Sequence, residues 1–417
     1  MTTLQLSGGV PLRGRVRVPG DKSMSHRALL LAARAAGTSV VTGLSDGADV
    51  RRTAAAIEAL GAGVDGGRIT GGRLREAPAP IDVGNSGTSM RLLAGFCAAF
   101  PWLTVLVGDD SLSRRPMDRV AEPLRLMGAT VDGRQHGRLS PLVVRGATLR
   151  GIEYDLPVPS AQVKGAVLLA GLGAEGETVV RDKVRTRAHS EELLAAFGAD
   201  VAVSADGLTT RLRPSELRPV DLAVPGDPSQ AAFWVVAACV TPGSDVVVER
   251  VYVGPARAGF LDVLRRMGAD LQVDMLDATT ADIRARFGPL RGTDVGGGEV
   301  AGLIDEIPAL AVAAAVADGV TTFRDAAELR VKESDRIATL ASELAVVGAR
   351  VEPLADGLVV PGGTPIHGGR VRSHGDHRIA MALAVAALAV EGPTRIEGWE
   401  AVHTSYPGFE RDLRSLS

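Results

Sequence analysis

Six apolar runs punctuate the chain, and each follows a short turn of small polar residues. They read VPGDKSMSHRALLLA (18–32), VGNSGTSMRLLAGF (83–96), VPSAQVKGAVLLAGL (158–172), VPGDPSQAAFWVVAA (224–238), LIDEIPALAVAAAV (303–316) and HGDHRIAMALAVAAL (374–388). Ser, Asp and Asn just before such a run are helix starts, because their side chains cap otherwise unpaired backbone N–H groups. The runs are apolar nearly all round, so buried helices are predicted. A second phrase recurs between them: LGAGV, MGATV, FGADV, MGADL and VGARV, with glycines at Gly61, Gly128, Gly198, Gly268 and Gly348. It reads as a helix stopping on a left-handed glycine before a strand. The glycines lie roughly 70 residues apart, longer than the common solenoid periods. Such a unit accommodates a β-α-β-α-β-β module, and three modules per closed domain suit a compact chain better than six in a row. GGRITGGR (66–73) reads as a hairpin turn.

Length agrees with two domains, since 417 residues exceed one ordinary core. Charge narrows the function. There are 46 basic and 49 acidic residues, a net −3, and only 3% aromatics. That balance gives no reason to bind nucleic acid or an acidic membrane. The longest apolar run, 379–390, is too short to span a bilayer. Two cysteines, Cys97 and Cys239, sit in apolar helical runs and form no disulfide framework, which suits a cytoplasmic protein.

An anion site must therefore be local. Helix starts expose N–H groups and a positive dipole. Cations stand beside several of these starts or in nearby turns: Lys22, Arg27, Arg115, Lys164, Arg187, Lys332, Arg336, His377 and Arg378. Beside Gly and Ser they suit phosphate or carboxylate. VKESDR (331–336) interleaves Glu333 and Asp335 with its cations, which fits either an acid/base pair or a helix start capped by Ser334 or Asp335. Asp305, at the start of a buried helix, fits a cap and a general base alike. GLGAEGET (171–178) has phosphate-loop glycine spacing, but Glu177 stands where Lys is needed. HExxH and CxxC are missing, and His374 and His377 have no evident third partner, so no metal or cofactor is expected.

GDKSMSHR, GNSGTSMRLL, RRPMDR, PSAQVKGAVLLAGL, ELRVKESDR and GDHRIAMA together resemble the signature blocks of the 5-enolpyruvylshikimate-3-phosphate synthase family, in the family's order, from residue 18 to 381. The resemblance implies an inside-out α/β barrel of two domains with three β-α-β-α-β-β units each. Residues 20–226 would form one domain, carrying Lys22, Arg27, Arg115 and Gln162. Residues 1–19 with 227–417 would form the other, carrying Asp305, Lys332, Glu333 and Arg378, with substrates in the cleft between. The implied reaction moves the enolpyruvyl group of phosphoenolpyruvate to the 5-hydroxyl of shikimate 3-phosphate. By the same resemblance, Lys22, Ser23, Arg27, Ser160, Gln162, Arg187, Asp305 and Lys332 would hold shikimate 3-phosphate. Lys22, Asn85, Gly87, Thr88, Arg115, Gln162, Arg336, His377 and Arg378 would hold phosphoenolpyruvate. Asp305, Glu333 and Lys22 would be catalytic. Gly87 leaves room for the phosphate, so inhibition by glyphosate is expected. A monomer in the cytoplasm, with small-molecule substrates and no membrane or nucleic-acid partner, completes the expectation.

The pattern departs from some members in two places. HTSYPGF (403–409) lacks a Lys before its aromatic-Pro, and Ala161 replaces a second hydroxyl. Transfer to another acceptor such as UDP-N-acetylglucosamine is one alternative. The family with that activity usually has Asn where this chain has His26, and it uses a loop cysteine that Cys97 and Cys239 do not match. A non-catalytic anion-binding homologue is the other.

Overall fold

The computed structural model describes residues 2–390 and 392–417. The chain forms two compact units, Lys22–Val224 and Met1–Asp21 with Pro225–Ser417. In the first unit, the helices that matter below are α1 (Lys22–Arg34), α2 (Ala48–Ala59), α3 (Gly87–Ala98) and α4 (Ala161–Gly171). In the second they are α5 (Pro228–Val240), α6 (Ile307–Val316), α7 (Arg336–Val346) and α8 (His377–Leu388). All six apolar runs are thus helical. Side chains of Ser86, Ser160, Asp227 and Asp376 cap α3, α4, α5 and α8.

Each module is built alike. Ile81–Asp82 runs parallel to Leu103–Val107, with α3 between them in sequence. Leu103–Val107 then pairs antiparallel with Leu139–Arg145, which pairs antiparallel with Thr130–Gly133. Among the described residues, five sheets have four strands in this pattern, and the sixth has three. Gly61, Gly128, Gly198, Gly268 and Gly348 all have positive φ, so the recurring glycine does supply the left-handed turn after a helix. Gly63–Asp65 and Arg68–Gly71 form the expected hairpin.

The strand before α1 breaks the local order. Arg13–Val16 pairs parallel with Asp245–Tyr252 of the second unit. Reciprocally, Asp221–Ala223, which precedes α5, pairs parallel with Gly37–Thr42 of the first. Two modules therefore exchange their opening strands.

Within each unit the helices of the apolar runs lie inside and the sheets outside. Every residue of α5 and of α8 is buried, and α5, α6 and α8 pack on one another. In the first unit α3 packs on α4 and α1. A Cβ on Gly95 would stand 2.1 Å from the Ala166 carbonyl oxygen, so glycine lets α3 and α4 approach closely. Each buried Leu or Ile contributes about 1.5–3 kcal/mol. The HTSYPGF stretch also enters this core. Tyr406 accepts from Trp234 Nε1 (2.9 Å) and donates to Asp412 (2.8 Å), and Trp234 stacks on Phe409.

Candidate active site

In the first unit, contacts radiate from the start of α1. Lys22 Nζ meets Asp49 Oδ2 at 3.0 Å. Arg27 reaches back to the Ser23 carbonyl (3.0 Å) and across to Ser190 Oγ (2.7 Å) and the Ala161 carbonyl (2.8 Å). That last bond docks α1 against the start of α4, where Ser160 and Gln162 lie. Arg187 donates to Ser23 Oγ (3.3 Å). Gln162 donates to Thr88 Oγ1 (2.8 Å) and accepts from Arg91 (2.6 Å). Arg115 lies 3.4 Å from the Asn85 carbonyl, and Asn85 donates to Asp109 (2.9 Å). Lys22, Ser23, Arg27, Asn85, Gly87, Thr88, Arg115, Ser160, Gln162 and Arg187 are thereby gathered from five separate segments. Cations dominate the gathering, and helix starts supply further positive potential.

Gly87 is enclosed by cations. A Cβ there would lie 3.0 Å from both Arg115 Cζ and Arg91 Nη1. Arg91 was missing from the sequence-based set. Its signal was available, since it sits four residues after Gly87 on α3 and so one turn further on the same face. Asp49 had no such signal.

Lys164 corrects an expectation. It does not join the anion set. Its ammonium is buried between Asp182 (2.8 Å) and Glu191 (2.7 Å). Burial raises the Asp182 carboxyl, against the pull of Lys164. A buried ammonium needs such partners, and these come from segments that sequence could not place beside it.

In the second unit, Arg336 is the hub. Its guanidinium is 1% exposed and touches three carboxylates: Asp376 (2.8 Å), Glu333 (2.6 Å) and Asp305 (3.3 Å). Those partners raise its pKa further despite burial, which acts the other way. Asp305 Oδ1 also lies 3.4 Å from Lys332 Nζ and 3.9 Å from Arg378 Nε. Arg378 donates to the Asp305 carbonyl (3.0 Å). Asp305, Lys332, Glu333, Arg336 and Arg378 thus form one cluster, with His377 buried beside Arg378 at the start of α8.

Asp305 does not cap its helix. Glu306 occupies the position before α6, and its side chain makes no cap bond. The Asp305 carboxylate is drawn instead to the three cations. Asp335 does cap α7, accepting from Ala338 N (3.1 Å). Sequence reading also missed Arg257, buried against Asp21, Asp227 and Glu306. Among the described residues no His, Cys, Asp and Glu group could hold a metal. No helix there is long and apolar enough to cross a membrane.

A family model described as EPSP synthase (3-phosphoshikimate 1-carboxyvinyltransferase) matches residues 6–413. A 3-phosphoshikimate 1-carboxyvinyltransferase of Gloeobacter violaceus is 52% identical, covering 96% of each chain. One from Pelotomaculum thermopropionicum is 51% identical, covering 95% of each. The solved EPSP synthase of Acinetobacter baumannii superposes with TM-score 0.87 at 41% identity, over 100% of this chain and 98% of that one. The enolpyruvyl transferase NikO of Streptomyces tendae shares the fold, with TM-score 0.80 at 23% identity over 99% and 97% of the two chains.

Proposed function

The chain belongs to the EPSP synthase family, and from that membership we propose how its two charged clusters divide one reaction. The reaction is enolpyruvyl transfer from phosphoenolpyruvate to the 5-hydroxyl of shikimate 3-phosphate, releasing phosphate. It is a step of the shikimate pathway toward aromatic amino acids. Both substrates are anions, so clustered cations are needed to hold them together, and holding them together supplies the proximity gain. Lys22, Ser23, Arg27, Ser160, Gln162, Arg187, Asp305 and Lys332 are assigned to shikimate 3-phosphate. Lys22, Asn85, Gly87, Thr88, Arg115, Gln162, Arg336, His377 and Arg378 are assigned to phosphoenolpyruvate.

The chemistry is that of an enol ether. C3 of phosphoenolpyruvate gains a proton, which makes C2 electrophilic. The 5-hydroxyl loses its proton as it attacks C2. The tetrahedral adduct then loses phosphate and a C3 proton. One observation carries the assignment of roles. Asp305 and Glu333 hang from different nitrogens of one buried guanidinium, yet their side chains are 12% and 14% exposed. Both carboxylates are fixed from behind and open in front, as acid/base groups must be. Asp305 is assigned as base toward the 5-hydroxyl and Glu333 as acid/base at C3. Lys22 stabilises charge on the phosphate. A monomer in the cytoplasm completes the proposal, and the free, buried Cys97 and Cys239 suit a reducing compartment.

Measuring phosphate release with each acceptor in turn tests the substrate. Release is expected with shikimate 3-phosphate and not with UDP-N-acetylglucosamine; the reverse would move the chain to the other acceptor. Gly87→Ala tests the phosphoenolpyruvate loop. Its methyl must displace the Arg91 and Arg115 guanidinia, and one methyl in a tight pocket costs roughly 10- to 200-fold in binding. Glyphosate inhibition should weaken by about that factor and the KM for phosphoenolpyruvate should rise. Unchanged inhibition would refute the steric argument.

A further inference from the structure

His26, on α1, is fully buried. Its ring is nevertheless the end of a polar relay across three helices. Nδ1 lies 2.8 Å from Thr53 Oγ1 on α2, and Thr53 Oγ1 lies 2.8 Å from Ser89 Oγ on α3. Ser89 Oγ donates to Ser86 Oγ at 2.6 Å, and Ser86 Oγ also accepts the Ser89 backbone N–H at 3.1 Å as the cap of α3. His26, Thr53, Ser86 and Ser89 are all buried.

The direction of the relay follows from its far end. The single hydroxyl proton of Ser89 goes to Ser86 Oγ at 2.6 Å rather than to the Asp49 carbonyl at 3.5 Å, so Ser89 accepts from Thr53. Thr53 has then spent its proton and accepts from His26, which requires the proton on Nδ1. Burial, with Lys22 and Arg27 nearby, pushes the imidazole pKa well below its ordinary value and keeps the ring neutral. A neutral ring with one fixed donor is what the relay demands.

The relay closes on the anion set. α1 carries both His26 and Lys22, and Lys22 binds Asp49 on α2, one turn before Thr53. The carbonyl of Asp49 lies 3.5 Å from Ser89 Oγ. The first turn of α3 is therefore held to α1 and α2 at the point where Gly87 faces Arg91 and Arg115 and Thr88 meets Gln162.

We propose that His26 is a positioning residue for the Asn85–Thr88 loop, acting through Thr53, Ser89 and Ser86 to set phosphoenolpyruvate affinity. The inference rests on the assignment of that loop to phosphoenolpyruvate. Steady-state kinetics of the full chain test it, with both substrates varied. His26→Leu keeps bulk and removes the donor; Thr53→Val cuts the relay at its middle with almost no change of shape. Each should raise the KM for phosphoenolpyruvate about three- to tenfold, the worth of one lost hydrogen bond. The KM for shikimate 3-phosphate should not move. His26→Asn, which keeps a short donor, should restore the affinity. The double variant His26→Leu/Thr53→Val should be no worse than either single one, because one relay is cut twice.

Equal shifts in both KM values, failure of His26→Asn to rescue, or additive losses would reduce His26 to packing. If His26→Leu fails to fold, the near-isosteric Thr53→Val carries the test alone. Gly87→Ala separates the two levels of argument. If Gly87→Ala leaves phosphoenolpyruvate binding intact, the loop assignment fails and the proposal with it. If Gly87→Ala acts and Thr53→Val does not, only the relay fails.

Discussion

Glu333→Gln and Asp305→Asn should each lower kcat by about 10²- to 10⁴-fold, the usual contribution of a positioned acid or base. Both changes keep side-chain volume and a hydrogen-bond acceptor for Arg336, so the cluster should stay assembled. Glu333 bonds the same guanidinium as Asp305, but the proposed roles put the two on different atoms. Solvent deuterium separates them. Under reversible conditions, exchange into C3 of phosphoenolpyruvate needs the group that protonates C3. Glu333→Gln should abolish that exchange together with turnover. If both variants turned over at near-normal rates, the division of roles would be wrong. If exchange survived in Glu333→Gln with turnover lost, Glu333 would not be the group at C3.

Much of the architecture could be read in advance because its signals are local. A polar turn before an apolar run caps a helix wherever it stands, and all six such runs are helical. The five glycines of the second phrase adopt positive φ for the same local reason. The exchange of opening strands was not legible in the local pattern; only the family resemblance joined residues 1–19 to 227–417. Arg13–Val16 pairs with a strand more than 200 residues away, and nothing in either strand names its partner.

The candidate site divides the same way. Lys22, Arg27 and Gln162 stand at conspicuous helix starts, whereas Asp49, Ser190 and Arg91 act through contacts made only on folding. Lys164 shows the limit most plainly. In sequence it resembles its neighbours beside a helix start. Asp182 and Glu191 bury it, and their approach depends on tertiary packing. Asp305 shows a milder case. Its position suited a cap, but three cations outbid the helix for its carboxylate.

Arg336→Met should destabilise the protein by about 3–5 kcal/mol at neutral pH, because it leaves buried carboxylates without their cation. Asp376 is fully buried and bonds Arg336 at 2.8 Å. Burial alone would raise its carboxyl; Arg336 outweighs that and holds it below the ordinary value of 3.8. A carboxyl lowered on folding stabilises the fold above its unfolded pKa, and that contribution fades as pH falls through the folded one. The stability gap between the native chain and Arg336→Met should therefore be widest near neutrality and should shrink below about pH 4. Urea unfolding at pH 7 and at lower pH reads this directly through the shift in midpoint. Arg336→Lys should fall between the two. It keeps the charge but loses the planar fork that serves three carboxylates at once. Its turnover should drop as well, since Asp305 and Glu333 no longer share one rigid support. A gap independent of pH would mean that Arg336 contributes by packing rather than by charge. An Arg336→Lys chain with native turnover would free Asp305 and Glu333 from any need of that fork.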